Sequence, residues 1–105
     1  MQLNLKIMAI KKQYLKSKSI CKVTFTVPAE NAETVAVLGE FNNWNSETTQ
    51  LTKLKNGTFK GVLDLEKDNS YEFRYLIDNK YSNDEQADSF KWNNYANAEN
   101  GVLNL

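Results

Sequence analysis

Ser70-Tyr71-Glu72-Phe73-Arg74-Tyr75-Leu76-Ile77-Asp78 alternates with a period of two. In an extended chain Tyr71, Phe73, Tyr75 and Ile77 share one face, while Glu72, Arg74, Leu76 and Asp78 share the other. That pattern marks a strand half-buried against a core rather than a helix, whose apolar residues recur every three or four positions. Ile20-Cys21-Lys22-Val23-Thr24-Phe25-Thr26-Val27 follows the same rule, with Cys21, Val23, Phe25 and Val27 together. Pro28 ends that run because it has no N–H for a ladder. Thr34 to Leu38 is apolar nearly throughout, as in a strand covered on both sides. Leu51 to Lys55 and Thr58 to Leu65 flank Asn56-Gly57, a strong hairpin signal that points Phe59, Gly61, Leu63 and Leu65 inward. Further turns fall at Lys67-Asp68-Asn69 and Asp78-Asn79. Past Lys80-Tyr81 the apolar alternation stops. Ser82 to Asn100 therefore reads as a long polar loop carrying Phe90, Trp92 and Tyr95, before a last short strand from Val102 to Leu105. Short strands with turn signals between them predict an all-β chain folded as an antiparallel β-sandwich, with Phe25, Phe41, Val37, Phe59, Leu63, Phe73 and Tyr75 in its core.

The totals narrow the function. The chain has 105 residues, enough for one domain with a modest core, and its formal net charge is zero. Zero balance argues against nucleic acid as the main partner, since duplex binding rests on a positive field. The charge is uneven. Six of the 13 basic residues and none of the 13 acidic ones fall within residues 1–22, leaving seven against thirteen, a net of −6, in the rest. Such lysines suit either a basic arm for an anionic surface or a lysine-protected edge strand, and the second is expected. The chain accordingly divides into residues 1–19, a basic segment that is partly loose tail and partly edge strand, and residues 20–105, the sandwich. Leu3 to Ile10 is short and broken by Lys6, so neither a membrane span nor a signal peptide is expected, and Met8 offers an alternative start that would make residues 1–7 a loose tail or an artefact.

Cys21 is the one cysteine, so it forms no internal disulfide; it is expected to be buried and inert, and a cytoplasmic location is expected with it. The absence of histidine removes the commonest general base and metal ligand. Asp84, Glu85 and Asp88 read as a solvated acidic run rather than a glycosidase pair, and they lack the glycine and terminal glutamate of a calcium loop. No catalytic residue, metal or cofactor is expected.

Gly39-Glu40-Phe41-Asn42-Asn43-Trp44-Asn45 leaves the apolar run Val35-Ala36-Val37-Leu38. Gly39 permits close backbone approach or positive φ, and asparagines tolerate left-handed conformations, so this is a shaped loop at a strand end. A tryptophan there either packs or binds. Val37 to Asn45, Asn56-Gly57-Thr58-Phe59, Tyr71 to Asp78 and Asn100-Gly101-Val102-Leu103 together resemble the carbohydrate-binding modules of family 48. These starch- and glycogen-binding modules, also called isoamylase N-terminal or early-set domains, occur in the β subunit of AMP-activated protein kinase and ahead of the barrels of glucan-branching and debranching enzymes. The resemblance covers roughly residues 20–105. It implies an immunoglobulin-like, early-set sandwich acting as a non-catalytic module for α-glucan, whether glycogen, starch or malto-oligosaccharide. Here the module would stand alone, with a branching or debranching enzyme as its partner in trans.

Residue by residue, the resemblance implies that Trp44 and Tyr81 stack on sugar rings while Arg74 and Asn100 hydrogen-bond sugar hydroxyls. Three positions depart from the kinase-type pattern: Tyr81 replaces a tryptophan, Asn79 replaces a turn glycine, and Ala96 falls near a leucine that pierces the glucan ring. The chemistry of sugars suits the same four residues. A pyranose presents apolar C–H faces rimmed by hydroxyls, which calls for aromatic planes, a multiple donor such as arginine, and an amide that donates and accepts. Plainer roles stand beside these. Trp44 suits a loop anchor, Tyr81 a cross-strand partner, Arg74 an ion pair with Glu72 or Asp78, and Asn100 the entry to the last strand. Trp92 and Tyr95, two aromatics on a long loop, either close over the sandwich or supply another platform, and packing is expected. The rival function is a protein-interaction scaffold that keeps the fold without binding sugar.

Overall fold

In the computed structural model, which describes residues 8–105, the alternating segments become facing strands of two antiparallel sheets. The first sheet has four strands in the order β1 (Ala9–Tyr14), β2 (Ile20–Pro28), β5 (Thr58–Glu66) and β4 (Thr52–Lys53). The second runs β3 (Val35–Gly39), β6 (Ser70–Ile77), β9 (Ala98–Asn104) and β8 (Ser89–Asn93), with β7 (Lys80–Ser82) also paired to β6. The chain is an all-β, immunoglobulin-like early-set sandwich.

Register explains the core. Cys21 opposes Leu65, Val23 opposes Leu63 and Val27 opposes Phe59, so one face of the β2–β5 ladder is apolar from end to end. From the other sheet Val35, Val37, Phe73, Tyr75 and Leu103 meet it, all fully buried. Phe25 sits at the centre, its ring 5.7 Å from Phe73 and edge-on to Tyr75 at 6.2 Å. Leu63 and Phe41 are only half-buried but pack against this cluster. β3 is buried along its whole length because its second edge is covered: Val37 N–H donates to Thr49 O and Leu51 N–H to Val35 O.

The turns obey their chemistry. Asp78 and Asn79 both have positive φ (46° and 66°), as a two-residue type I′ hairpin requires, so Asn79 serves where glycine is the commoner choice. Asp78 Oδ1 also accepts from Thr34 N–H and Glu33 N–H at 2.9 Å each, which ties the hairpin to the start of β3 and holds the carboxyl below its usual range. At Asn56-Gly57 the loop closes through Gly57 N–H to Leu54 O (3.0 Å), with Gly57 at φ 86°, the glycine-bulge form of a longer loop.

Residues 82–100 do not form the expected loop. β8 and β9 make a hairpin there, and β9 begins at Ala98, so Asn100 lies inside the last strand rather than at its entry. Phe90 and Trp92 do alternate with Lys91 and Asn93, but both faces of β8 remain exposed, and no apolar side had to be written into the sequence. The acidic run also divides. Asp84 is fully buried, accepting from Tyr75 O–H at 2.5 Å and Gln86 N–H at 2.8 Å. Asp88 is an exposed clasp between the sheets: Lys12 Nζ donates to its Oδ2 at 2.7 Å and to Asn104 O at 3.0 Å. Lys12 and Lys11 belong to β1, which occupies an outer position of its sheet. The loose tail and the alternative start at Met8 concern residues 1–7, outside the described residues. Among the described residues no helix is long and apolar enough to cross a membrane.

Candidate functional site

β6 floors the site. Its first half pairs with β9, from Ser70 to Phe73, and its second half pairs with β7, from Tyr75 to Ile77. Arg74 stands at the junction on the face turned away from the core. Tyr81 is brought beside it by the β6–β7 hairpin, opposite Leu76, and the Arg74 guanidinium lies 4.8 Å from the Tyr81 ring centroid. Asn100 comes from β9, one position beyond the Phe73–Gly101 pair. Arg74 and Asn100 are thereby neighbours across two strands.

Trp44 reaches the same place from the end of β3. Gly39 is extended there, and its missing Cβ matters for space: one built on it would lie 2.6 Å from Glu72 O. Phe41 then anchors the following 3-10 turn, Glu40–Asn42, beside Phe25 and Tyr71. Asn42 stitches the loop, accepting from Gly39 N–H at 3.0 Å and donating to Val37 O and Thr49 Oγ1. Asn43 and Trp44 both take left-handed conformations, at φ 56° and 58°. For a bulky residue that conformation costs about 1–2 kcal/mol, and such strain gathers where a side chain must be aimed. Trp44 remains 36% exposed.

The third wall is the β8–β9 loop, with Asn93, Tyr95 and Ala96. These residues with Trp44, Arg74, Tyr81 and Asn100 enclose an open cleft of about 570 Å³. All four residues singled out in the sequence therefore meet in one place. Tyr95 takes the second of its two expected roles rather than the favoured packing one: its side chain is fully exposed and lines the cleft. Trp92, read the same way, is also largely exposed. The available signal was an aromatic ring set among asparagines, which loop composition obscured.

The polar atoms are organised as well. Asn100 is 1% exposed, and its Nδ2 donates to Glu72 Oε1 at 3.1 Å. A carboxylate only accepts, so Glu72 fixes the amide with Nδ2 toward itself and Oδ1 free. Glu72 is held in turn by Lys91 Nζ, 3.7 Å from its Oε2, while its own N–H donates to Glu40 Oε1 at 2.7 Å. Glu72 and Asp78 are thus engaged elsewhere, and neither forms the ion pair considered for Arg74. Among the described residues, buried Asn100 Oδ1 and Arg74 Nε in the cleft, and Asn83 Oδ1 outside it, have no hydrogen-bond partner. Native proteins seldom leave such atoms unmatched unless they serve a ligand or solvent. The two atoms in the cleft lie covered beneath its floor, under its aromatic walls. No group of acidic, cysteine or histidine residues among those described is arranged to hold a metal ion.

The family model described as carbohydrate-binding module 48 (isoamylase N-terminal domain) matches residues 13–96. The chain belongs to this family. Trp44, Arg74, Tyr81, Tyr95 and Ala96 lie within the matched stretch, and Asn100 lies just beyond it. As a family 48 module, the domain is of a kind that binds carbohydrate rather than one that transforms it. No curated protein matches the chain.

Proposed function

We propose that this family 48 module binds α-glucan non-catalytically, as malto-oligosaccharide or as chain segments of glycogen or starch, in the cleft walled by Trp44, Tyr81 and Tyr95. The observation that carries this reading is the convergence of three exposed aromatic rings from separate hairpins and loops on one unpartnered donor and one unpartnered acceptor. Stacking removes apolar C–H surface from water, worth about 25 cal/mol per Å² before ordering costs. The Arg74 guanidinium then donates to ring hydroxyls, and Asn100 Oδ1 accepts from one once the side chains covering it shift. Walls raised from different elements around a concave floor suit the arched α-linked chain better than the flat ribbon of a β-1,4 glucan. A glucan-branching or debranching enzyme working on the same polymer is the accompanying partner, and buried, unpaired Cys21 suits a reducing cytoplasm.

Titration of intrinsic tryptophan fluorescence with maltoheptaose and with cellohexaose tests the reading. Maltoheptaose is expected to change the emission with a dissociation constant of about 0.1–1 mM, because each sugar hydrogen bond replaces one to water at a net gain of about 0.5–1.5 kcal/mol. Cellohexaose is expected to leave it unchanged. Equal response to both sugars, or response to neither, would reject the α-glucan assignment. Glu72→Gln is expected to weaken maltoheptaose about tenfold with little change in melting temperature, because a glutamine lets the Asn100 amide turn over and lose its fixed acceptor.

A further inference from the structure

We propose that β8 is a docking edge for a second copy of this chain, which adds its own β8 antiparallel and joins two sandwiches through one continuous sheet. The dimer stands independently of the α-glucan reading; only its consequence for polymer binding rests on that reading.

An open sheet edge invites another chain, and proteins close such edges with a covering segment, a very short strand or lysines. Among the described residues, the other edges of this fold are closed in these ways. β3 is covered by the bonds from residues 49 and 51 and by the Ala36–Gln50 bridge. β4 has two residues and β7 three, and β1 carries Lys11 and Lys12. β8 ends its sheet with five residues and no covering segment. It presents Phe90 and Trp92, 46% and 55% exposed, and its lysine, Lys91, is drawn aside to Glu72 Oε2 at 3.7 Å. β8 also overhangs. Lys12 of β1 reaches Asp88 and Asn104 O, so the first sheet ends beneath β9 and leaves both faces of β8 exposed. Phe90 lies opposite Gly101, which has no side chain to cover it.

The edge is complementary to itself. Ser89-Phe90-Lys91-Trp92-Asn93 reads polar, aromatic, basic, aromatic, polar about its central residue. A two-fold axis at Lys91 therefore sets Phe90 against Trp92 of the second copy, twice over, and Ser89 against Asn93. The two Lys91 side chains meet on the outer face, where Glu72 of each copy offsets their charge. A formal net charge of zero leaves no strong long-range repulsion between copies. One strand edge and four rings make a small interface, so association is reversible, with a dissociation constant of about 10–100 µM. The axis stands perpendicular to the sheet, and both clefts open on the same side. Five inter-strand steps of about 4.8 Å set the two β6 strands roughly 24 Å apart. On the α-glucan reading, two weak clefts so placed engage one polymer together and hold it more tightly than either alone.

Sedimentation velocity of the whole chain between about 5 and 500 µM tests this. Wild type is expected to pass from monomer to dimer across that range. The double variant Phe90→Thr, Trp92→Thr should stay monomeric throughout, with the melting temperature of wild type, because both rings are exposed. Lys91→Cys locates the axis. An antiparallel pair centred on residue 91 brings the two Cα atoms within disulfide reach, so oxidised glutathione should convert this variant to a covalent dimer. Lys60→Cys, on the exposed face of β5, should remain monomeric under the same oxidant, and buried Cys21 is inert in both. A wild type that is monomeric at 500 µM, a dimer that survives loss of both rings, or cross-linking no faster at 91 than at 60 would overturn the β8 interface. Retention in a glycogen gel should fall about tenfold in the double variant while its calorimetric affinity for maltoheptaose stays within twofold. Unchanged retention would overturn the link to polymer binding. A wild type that dimerises but binds neither sugar would remove the α-glucan reading and leave the interface standing.

Discussion

Trp44→Ala is expected to abolish measurable malto-oligosaccharide binding and leave a folded domain. A central aromatic anchor in a binding site is commonly worth about 2 kcal/mol or more on truncation, roughly thirtyfold. Applied to a weak sugar site, that loss moves the dissociation constant beyond practical concentrations. The stability cost should be about 1–2 kcal/mol, smaller than the about 3–5 kcal/mol of a fully buried aromatic, because the indole is partly exposed and the loop beneath it is held by Asn42 and Phe41. Trp44→Gly supplies the control. At φ 58° glycine is at ease, so it should be about 1 kcal/mol more stable than Trp44→Ala yet equally unable to bind. Urea unfolding and affinity electrophoresis in glycogen measure both quantities. A Trp44→Ala protein that unfolds, or one that binds glycogen as wild type does, would make the tryptophan a packing residue and not a platform.

The second large effect is on stability in alkali. Tyr75 is buried in the core with its O–H on Asp84, and burial first, then the Asp84 charge and hydrogen bond, push its phenol well above the ordinary value. The unfolded chain releases that proton near pH 10, whereas the folded chain retains it. The stability contributed by this proton is therefore complete below about pH 10 and is lost as the pH climbs beyond it, at about 1.4 kcal/mol per pH unit. Urea unfolding between about pH 9 and 11.5 should show this decline, and Tyr75→Phe should be flatter by one proton's slope. The substitution itself should cost about 1–3 kcal/mol at neutral pH, since the buried Asp84 carboxylate keeps only Gln86 N–H. Parallel slopes in the two proteins would show that Tyr75 ionises in the native state despite its burial.

The sheets were legible because their inner faces carry a strict apolar alternation. β2, β5 and β6 could be read almost to the residue, and so could the position of the turn at Asp78-Asn79. β8 was not legible, since a strand exposed on both faces needs no apolar side, and asparagine-rich loops and asparagine-rich hairpins share a composition. Asp84 was missed for another reason. Its burial depends on a tyrosine nine positions earlier turning inward beside it, and local sequence resembles a solvated acidic run either way. In the cleft, Trp44, Arg74, Tyr81 and Asn100 could be named from motif and alternation. Tyr95 could be raised as a platform but not chosen over packing, and the orienting role of Glu72 could not be named, because both depend on which strands become neighbours in the second sheet.

β6 gives its odd-numbered residues to the interior and its even-numbered ones to the outer face, with Phe73 and Tyr75 on one side and Glu72 and the cleft-lining Arg74 on the other. A slip of one position along this strand would exchange the two sets entirely. The outer face that carries Arg74 and the hydrophobic interior are thus two readings of one alignment, and neither can drift while the other is maintained. On the α-glucan reading proposed above, a bound glucan therefore serves as a sensor of correct strand pairing during refolding. Chains trapped one residue out of step would be expected to elute from a glycogen column in the void, sorted from correctly paired molecules of identical mass and sequence.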